Sequence, residues 1–416
     1  MTVDMAPDHL IEANVSLVLP DGVEVPAGRV TTDGLPGSAA PGIVFRYAES
    51  FLLDPRGYDL SPDMPRSAGP LRAWSGRESL GALGDAMPDS WGRRIIRAGT
   101  QARSGLDHLL HVDDETRQGA LRFAAKGTFL GRRTHPVAQV HDLPRILAAA
   151  RAFETGTESD EELAVLIEAG TSAGGARPKA VVRHHDALWM AKFARDTEYS
   201  DPMAWEATAL ALARQSGVET PAFELERIAE GRSILLTKRF DRVGEQRIGY
   251  LSAHSLTTKP EDQPLSYVHL AEAVAFASPT PRVDLAELFR RVALGLLIGN
   301  VDDHFRNHGF LRQHTGWKLS PVFDLEPNRR PDRVEATPIT EGGERYGRDI
   351  RELRAVHDAF RLSATAAASI IRETAERTMD WRTVAIGYGI SPEAAVVAER
   401  AFDSDNRHRA LEMPSR

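Results

Sequence analysis

The chain has 416 residues, 42% of them hydrophobic and 26% charged, and 51 Lys and Arg against 59 Asp and Glu give a net charge of −8. This is enough length for two or three packed units with cores of their own, and the acidic balance excludes a global electrostatic footprint for nucleic acid. Cysteine is absent, which excludes disulfides, thiolate catalysis and Cys-ligated zinc and fits a reducing cytosol.

The start carries Asp4 and Asp8 and no apolar core, unlike a signal peptide. No apolar run approaches the roughly 18 residues of a membrane span, so no membrane association is expected. In chain order, Asn14–Leu19 and Ile43–Tyr47 read as strands, with Pro20-Asp-Gly22 as a turn. Leu80–Thr100 reads helical, interrupted by a turn at Asp85–Gly92 that starts a new helix. Leu143–Phe153 is a further helix, with Asp142 as N-cap and Pro144 in the first turn, where proline is tolerated. The polar stretch Glu154–Glu162 reads as a linker, which places a domain boundary near 155.

Gly170–Ala180 is glycine-rich, and Val181–Arg183 and Leu188–Phe193 flank His184–Ala187 as a hairpin. Met203–Ser216 is helical and closes at Gly217. Phe223–Ile228 and Ser233–Phe240 form a second strand pair. From about 266 the pattern turns helical. Leu285, Leu288, Phe289, Val292, Leu296 and Leu297 recur at close to 3.6 residues. Gly309–Leu311 and Trp317–Leu319 are short strands, and Ala364–Thr378 and Pro392–Phe402 are helices. Three parts follow: 1–155, 156–265 and 266–416, a β-rich lobe leading into a helical one.

Asn300-Val-Asp-Asp-His-Phe-Arg-Asn307 and Ser320-Pro-Val-Phe-Asp324 carry the chemistry. Asp302 and Asn307 have the spacing of a kinase catalytic-loop base and its metal-binding Asn. Asp324 lies across a hairpin from them, where a second Mg²⁺ ligand belongs. Lys192 sits in an apolar strand, on the same face as Met190 and Ala194. Either ATP phosphates and a helix carboxylate such as Glu206 satisfy it, or it lies at a strand edge and reaches water. Gly170, Gly174 and Gly175 permit a backbone that cradles phosphate, although the segment matches neither dinucleotide nor P-loop spacing, and a plain connecting loop fits it equally. His304 and His308 are four apart, but lack the Glu or thiolate company of zinc sites. His304 is better suited to ordering the loop by hydrogen bonding.

With these residues in hand the chain resembles the HipA family of serine/threonine kinases, toxins of type II toxin–antitoxin pairs. The resemblance rests on Asn300-x-Asp-x-His-x-x-Asn307, Pro321-Val-Phe-Asp324 and Ser172-Ala-Gly-Gly-Ala-Arg-Pro-Lys179. Ala86–Arg93 and Gly119–Phe123 add to it from the N-terminal part. It implies an α+β, two-lobed protein-kinase-like fold with an N-terminal β-rich subdomain and a helical C-terminal lobe. It implies Asp302 as catalytic residue, Asn307 and Asp324 as Mg²⁺ ligands, and Ser172, Gly174, Gly175, Lys192 and His304 around ATP. Backbone along Thr237, Lys238, Arg239 and Phe240 would receive the adenine, and Ser172 would be the self-inactivating phosphorylation site. Leu325-Glu326 in place of Phe-Gly argues against transferring the control attached to a DFG motif. The family further implies a cytoplasmic protein, a HipB-like helix-turn-helix antitoxin, operator DNA met mainly through that partner, and an aminoacyl-tRNA synthetase as substrate. A small-molecule kinase and a non-catalytic nucleotide-binding co-regulator of transcription are the competing readings.

Overall fold

The structure, a computed structural model, describes residues 12–32, 42–73, 79–100, 102, 104–131, 135–170, 177–195, 198, 201–228, 232–257, 265–300, 302–327, 337–343 and 348–414. The chain forms two compact units: Met1–Ala176 with Val243–Tyr250, and Arg177–Arg242 with Leu251–Arg416. The division thus falls at 176/177, with a short return at 243–250, rather than at 155 and 265.

In the first unit β1 (Glu12–Val18), β2 (Glu24–Thr32), β3 (Ile43–Tyr47), β4 (Leu71–Arg72) and β5 (Leu121–Ala124) make an antiparallel sheet in the order β4-β3-β2-β1-β5. Strict alternation in β1 sends Ala13, Val15 and Leu17 inward. The helices are α1 (Glu49–Leu53), α2 (Gly81–Asp85), α3 (Ser90–Gly99), α4 (Gly105–His111), α5 (Leu143–Thr155) and α6 (Asp160–Glu168). Asp89 starts α3 as expected from the turn before it, its Oδ1 accepting from Gly92 N at 2.7 Å. The expected linker at 154–162 shrinks to 156–159, with its ends taken up by the last residues of α5 and the start of α6. Ser159 and Glu162 form a reciprocal capping box there, so the polarity that suggested a loop is a helix-start signal. Residues 243–250 join this unit through Arg247, whose guanidinium is buried against the carbonyl and carboxylate of Asp114. Gln246 Nε2 also donates to Pro20 O at 2.9 Å.

The second unit opens with β6 (Lys179–His184), β7 (Ala187–Phe193), α7 (Pro202–Gln215), β8 (Phe223–Ile228) and β9 (Arg232–Lys238). The strands form an antiparallel sheet in the order β6-β7-β9-β8. A small hairpin, β10 (Arg242–Val243) and β11 (Gln246–Arg247), precedes a sheet ordered β12 (Tyr250–Ser252), β13 (Gly309–Gln313) and β14 (Gly316–Leu319). The helical part is α8 (Ala253–Thr257), α9 (Tyr267–Ala277), α10 (Pro281–Leu297), α11 (Ile350–Ala355), α12 (Ala364–Arg377), α13 (Trp381–Gly387), α14 (Pro392–Phe402) and α15 (Asp405–Leu411). This is an α+β, kinase-like arrangement: an antiparallel sheet with one long helix, followed by a helical body. One core joins Trp205 and Leu210 of α7, Leu235 of β9, Leu294 and Ile298 at the end of α10, and Trp381 stacked on Phe402 at 4.3 Å. Val322 and Leu325 enter the same core on either side of Asp324. Each such side chain contributes about 1.5–3 kcal/mol on burial, and together they fix α7, the loop after α10 and Asp324 in one frame. Among the described residues no helix is long and apolar enough to cross a membrane.

Candidate active site

Lys192 is the next-to-last residue of β7, opposite Lys179 of β6 and Leu235 of β9, and is only 8% exposed. A cation buried this deeply needs partners. Its Nζ donates to Glu206 Oε1 of α7 at 2.6 Å and, closer still, to Asp324 Oδ1. Burial works to lower the Lys192 pKa, but the charges of Asp324 and Glu206 overcome it and hold the ammonium protonated. Burial likewise works to raise Asp324, and Lys192, with Lys179 and Arg177 further off, offsets this and leaves the carboxyl below its usual range. Glu206, 5% exposed, goes the other way: burial raises it, Lys192 only partly opposes, and the Asp324 charge adds to the rise. Two carboxylates sharing one ammonium thus divide into an ionised Asp324 and a Glu206 that takes up a proton more readily.

Asp324 has φ of +54°, the left-handed region that costs most residues roughly 1–2 kcal/mol and that Asp tolerates better than most. The ion pair and the flanking core side chains hold it there. Two residues on, Glu326 accepts from Arg177 at 2.6 and 2.9 Å, and Glu198 takes the same guanidinium at 3.1 Å. The base of the glycine-rich segment is therefore tied to the segment that carries Asp324.

Two residues past the end of α10, Gly299 has φ of +62° and reverses the chain into the polar loop. Asn300 is buried, and its Oδ1 accepts from Glu326 N at 3.1 Å, which locks the loop to the Asp324 segment. The adjacent aspartates then part. Asp302 is half-exposed, and its carbonyl accepts from Asn307 Nδ2 at 2.8 Å. His304 Nε2 lies 3.7 Å from Asp302 Oδ1, while its buried Nδ1 has no hydrogen-bond partner among the described residues. Asp303 is buried: it accepts from Tyr267 Oη, from Arg348 Nη1 at 2.8 Å, and pairs with His308 Nε2 at 3.0 Å. Burial works to raise its carboxyl, but the His308 hydrogen bond and the Arg348 charge dominate and hold it far below the usual range. With His308 engaged in this way, His304 and His308 form no metal pair.

Lys192, Glu206 and Asp324 are thus brought together, Asp302 and Asn307 share one turn, and Asn300 links the two groups. The stretch expected to receive adenine has much of its backbone engaged elsewhere. Lys238 N donates to Ala222 O at 2.8 Å and Arg239 N to Leu188 O at 2.9 Å, so both amides are already spent on the sheet. Arg239 folds its side chain onto Asp241 at 2.6 and 2.8 Å. Thr237 sits within β9, opposite Met190 and Phe223. Phe240 instead meets Phe323, the residue before Asp324, with ring centroids 5.7 Å apart. Ser172, Gly174 and Gly175 lie outside the described residues. Sequence reasoning missed Asp303, Tyr267, His308 and Arg348 as a buried set. The Asp302-Asp303 doublet was the one local hint of it, since neighbouring side chains in a turn point apart.

The model of the HipA-like C-terminal domain matches residues 171–382, just over half of the chain, which therefore belongs to the HipA family. In fold the chain is similar to Shewanella oneidensis MR-1 HipA, whose structure holds HipA, HipB and operator DNA. That match has 16% identity and a TM-score of 0.67, and covers 95% of this chain and 96% of that one. A Helicobacter pylori proinflammatory kinase, CtkA, matches at 14% identity with a TM-score of 0.40, over 58% of this chain and 93% of that one. No curated protein matches.

Proposed function

We propose that this protein is a Mg²⁺- and ATP-dependent serine/threonine kinase acting as the toxin of a toxin–antitoxin pair. The buried Lys192–Glu206–Asp324 cluster carries the reading, because an ammonium held charged between a helix carboxylate and a loop carboxylate is poised to exchange one of them for phosphate oxygens. The donor set fits a hard cation. Asp324 offers a carboxylate, and Asn307, its amide nitrogen committed to the Asp302 carbonyl, has its amide oxygen left for a metal. Bound Mg²⁺ would neutralise phosphate charge. The protein's own groups do the rest: Lys192 orients the phosphates, Glu206 fixes Lys192, and half-exposed Asp302 accepts the hydrogen of the incoming hydroxyl.

The finer assignments rest on the family. They are autophosphorylation at Ser172, a cytoplasmic setting, an aminoacyl-tRNA synthetase as acceptor, and a HipB-like partner that meets operator DNA. The HipA–HipB–operator DNA complex of the Shewanella protein supports the last of these.

Transfer from γ-labelled ATP into host extract tests the activity. We expect a labelled extract protein, and at least about 100-fold less label with Asp302→Ala, the lower range for a lost general base. Unchanged labelling by that variant rejects the assignment. A phosphorylated metabolite without labelled protein would point to a small-molecule kinase, and ATP binding without turnover to a co-regulator.

A further inference from the structure

We propose a transition-metal site, of Zn²⁺ type, at the tip of the β6–β7 hairpin, formed by His184, His185 and Glu224. It is the one group of three such ligands found close together among the described residues, with its ligand atoms within 4.8 Å of one another. His184 Nε2 lies 3.0 Å from Glu224 Oε2, and His185 Nε2 lies 3.7 Å from Glu224 Oε1. Tetrahedral ligands at zinc bond lengths of about 2.0–2.1 Å stand roughly 3.3 Å apart. The two separations bracket that value, so small rotations suffice to seat an ion.

The turn itself is unusual. Neighbouring residues of a strand point to opposite faces, yet the two imidazole rings lie side by side with centroids 3.8 Å apart. The cause is backbone. His185 has φ of +46° and Asp186 of +56°, a double left-handed turn that normally selects Asn-Gly. Here it holds two residues with side chains, and its effect is to swing His185 onto the same carboxylate that His184 meets. His184 is further steadied edge-on by Trp189, 5.3 Å away. Glu224 comes from β8, two strands along the sheet from β7, so a bound ion would clasp the hairpin tip to a strand with which it shares no ladder. Two imidazoles and one carboxylate with an open, half-exposed side suit Zn²⁺ and its first-row neighbours and suit Mg²⁺ poorly. The site is therefore separate in chemistry from the one proposed for nucleotide.

Calorimetric titration of untagged full-length protein with Zn²⁺, in millimolar Mg²⁺, tests this. His185→Asn keeps a residue that accepts left-handed backbone, and Glu224→Gln keeps the shape. We expect one saturable Zn²⁺ equivalent, weakened at least about tenfold by either change, the scale seen when even a supporting group is lost. Zn²⁺ should also raise the melting temperature of the wild type and not of the variants, while metal-free melting temperatures agree. No saturable uptake, or uptake that both variants leave intact, overturns the proposal and leaves a hydrogen-bonded His–Glu pair.

Discussion

Replacing Lys192 by Met keeps the apolar stem and removes the cation between Glu206 and Asp324. Breaking a buried pair from one side costs about 3–5 kcal/mol, and we expect that loss at neutral pH by chemical denaturation. The two abandoned carboxyls would then have folded-state pKa values above their unfolded ones. Their contribution is full below the unfolded value and disappears as pH rises through the folded one. The deficit of the variant should therefore shrink as pH falls from neutral toward the unfolded carboxylate values of about 4, and a deficit independent of pH would refute this account. Asp303 has the opposite sign. Its depressed pKa gives stability that is present above the unfolded value, about 3.9, and lost as pH falls below it. Asp303→Asn, which leaves the buried Arg348 with backbone carbonyls but no counter-charge, should cost about 3–5 kcal/mol at pH 7 and flatten the acid limb of the stability curve. The Lys192–Glu206 pair could be anticipated, because a cation in an apolar strand needs a counter-charge, and the nearness of Asp302 to Asn307 because only five positions of one loop separate them. Tyr267 and Arg348 could not, since they reach Asp303 from 36 and 45 positions away. Nor could the occupation of the Lys238 and Arg239 amides, because strand partners are chosen non-locally.

Elements with long, consistent patterns were also readable: the β6–β7 hairpin, α7, α10, α12 and α14. Several short or interrupted ones were not, although β3, β13 and β14 were. β2 carries Pro26 and Gly28, which read as breakers. In the sheet Pro26 stands beside a register shift, and a Cβ on Gly28 would meet Arg46 O at 2.2 Å. β5 has four residues and gains its identity only by pairing with β1, over 100 positions earlier. α6 was hidden by its polar first turn. Ser159→Ala should cost about 1 kcal/mol through the lost cap, read from the thermal transition of the first unit. At the far end of α10, Gly299→Ala forces a Cβ into the left-handed region and to 3.1 Å from Ala401. We expect a loss of roughly 1–2 kcal/mol from backbone alone, and no change in melting would show that the turn relaxes freely.

At the scale of the molecule, the first unit is not continuous in sequence. It borrows 243–250, whose Arg247 adds a second guanidinium to Asp114 beside that of Arg122 and whose Gln246 reaches Pro20. A fragment ending at 176 should melt lower than the same fragment with 243–250 restored through a flexible Gly/Ser linker, by circular dichroism. Equal melting would mean that the segment is passive. The same loan has a consequence during translation. Most domains can close as soon as their own residues leave the ribosome. Here everything through Tyr250 must be made before the leading unit is whole, a wait of roughly 4–15 s at about 5–20 residues per second. For that interval the nascent chain carries Asp114 paired with Arg122 but still without Arg247, together with the emerging β6–β9 strands, so the ribosome-bound intermediate is the stage at which a chaperone would matter most to this protein.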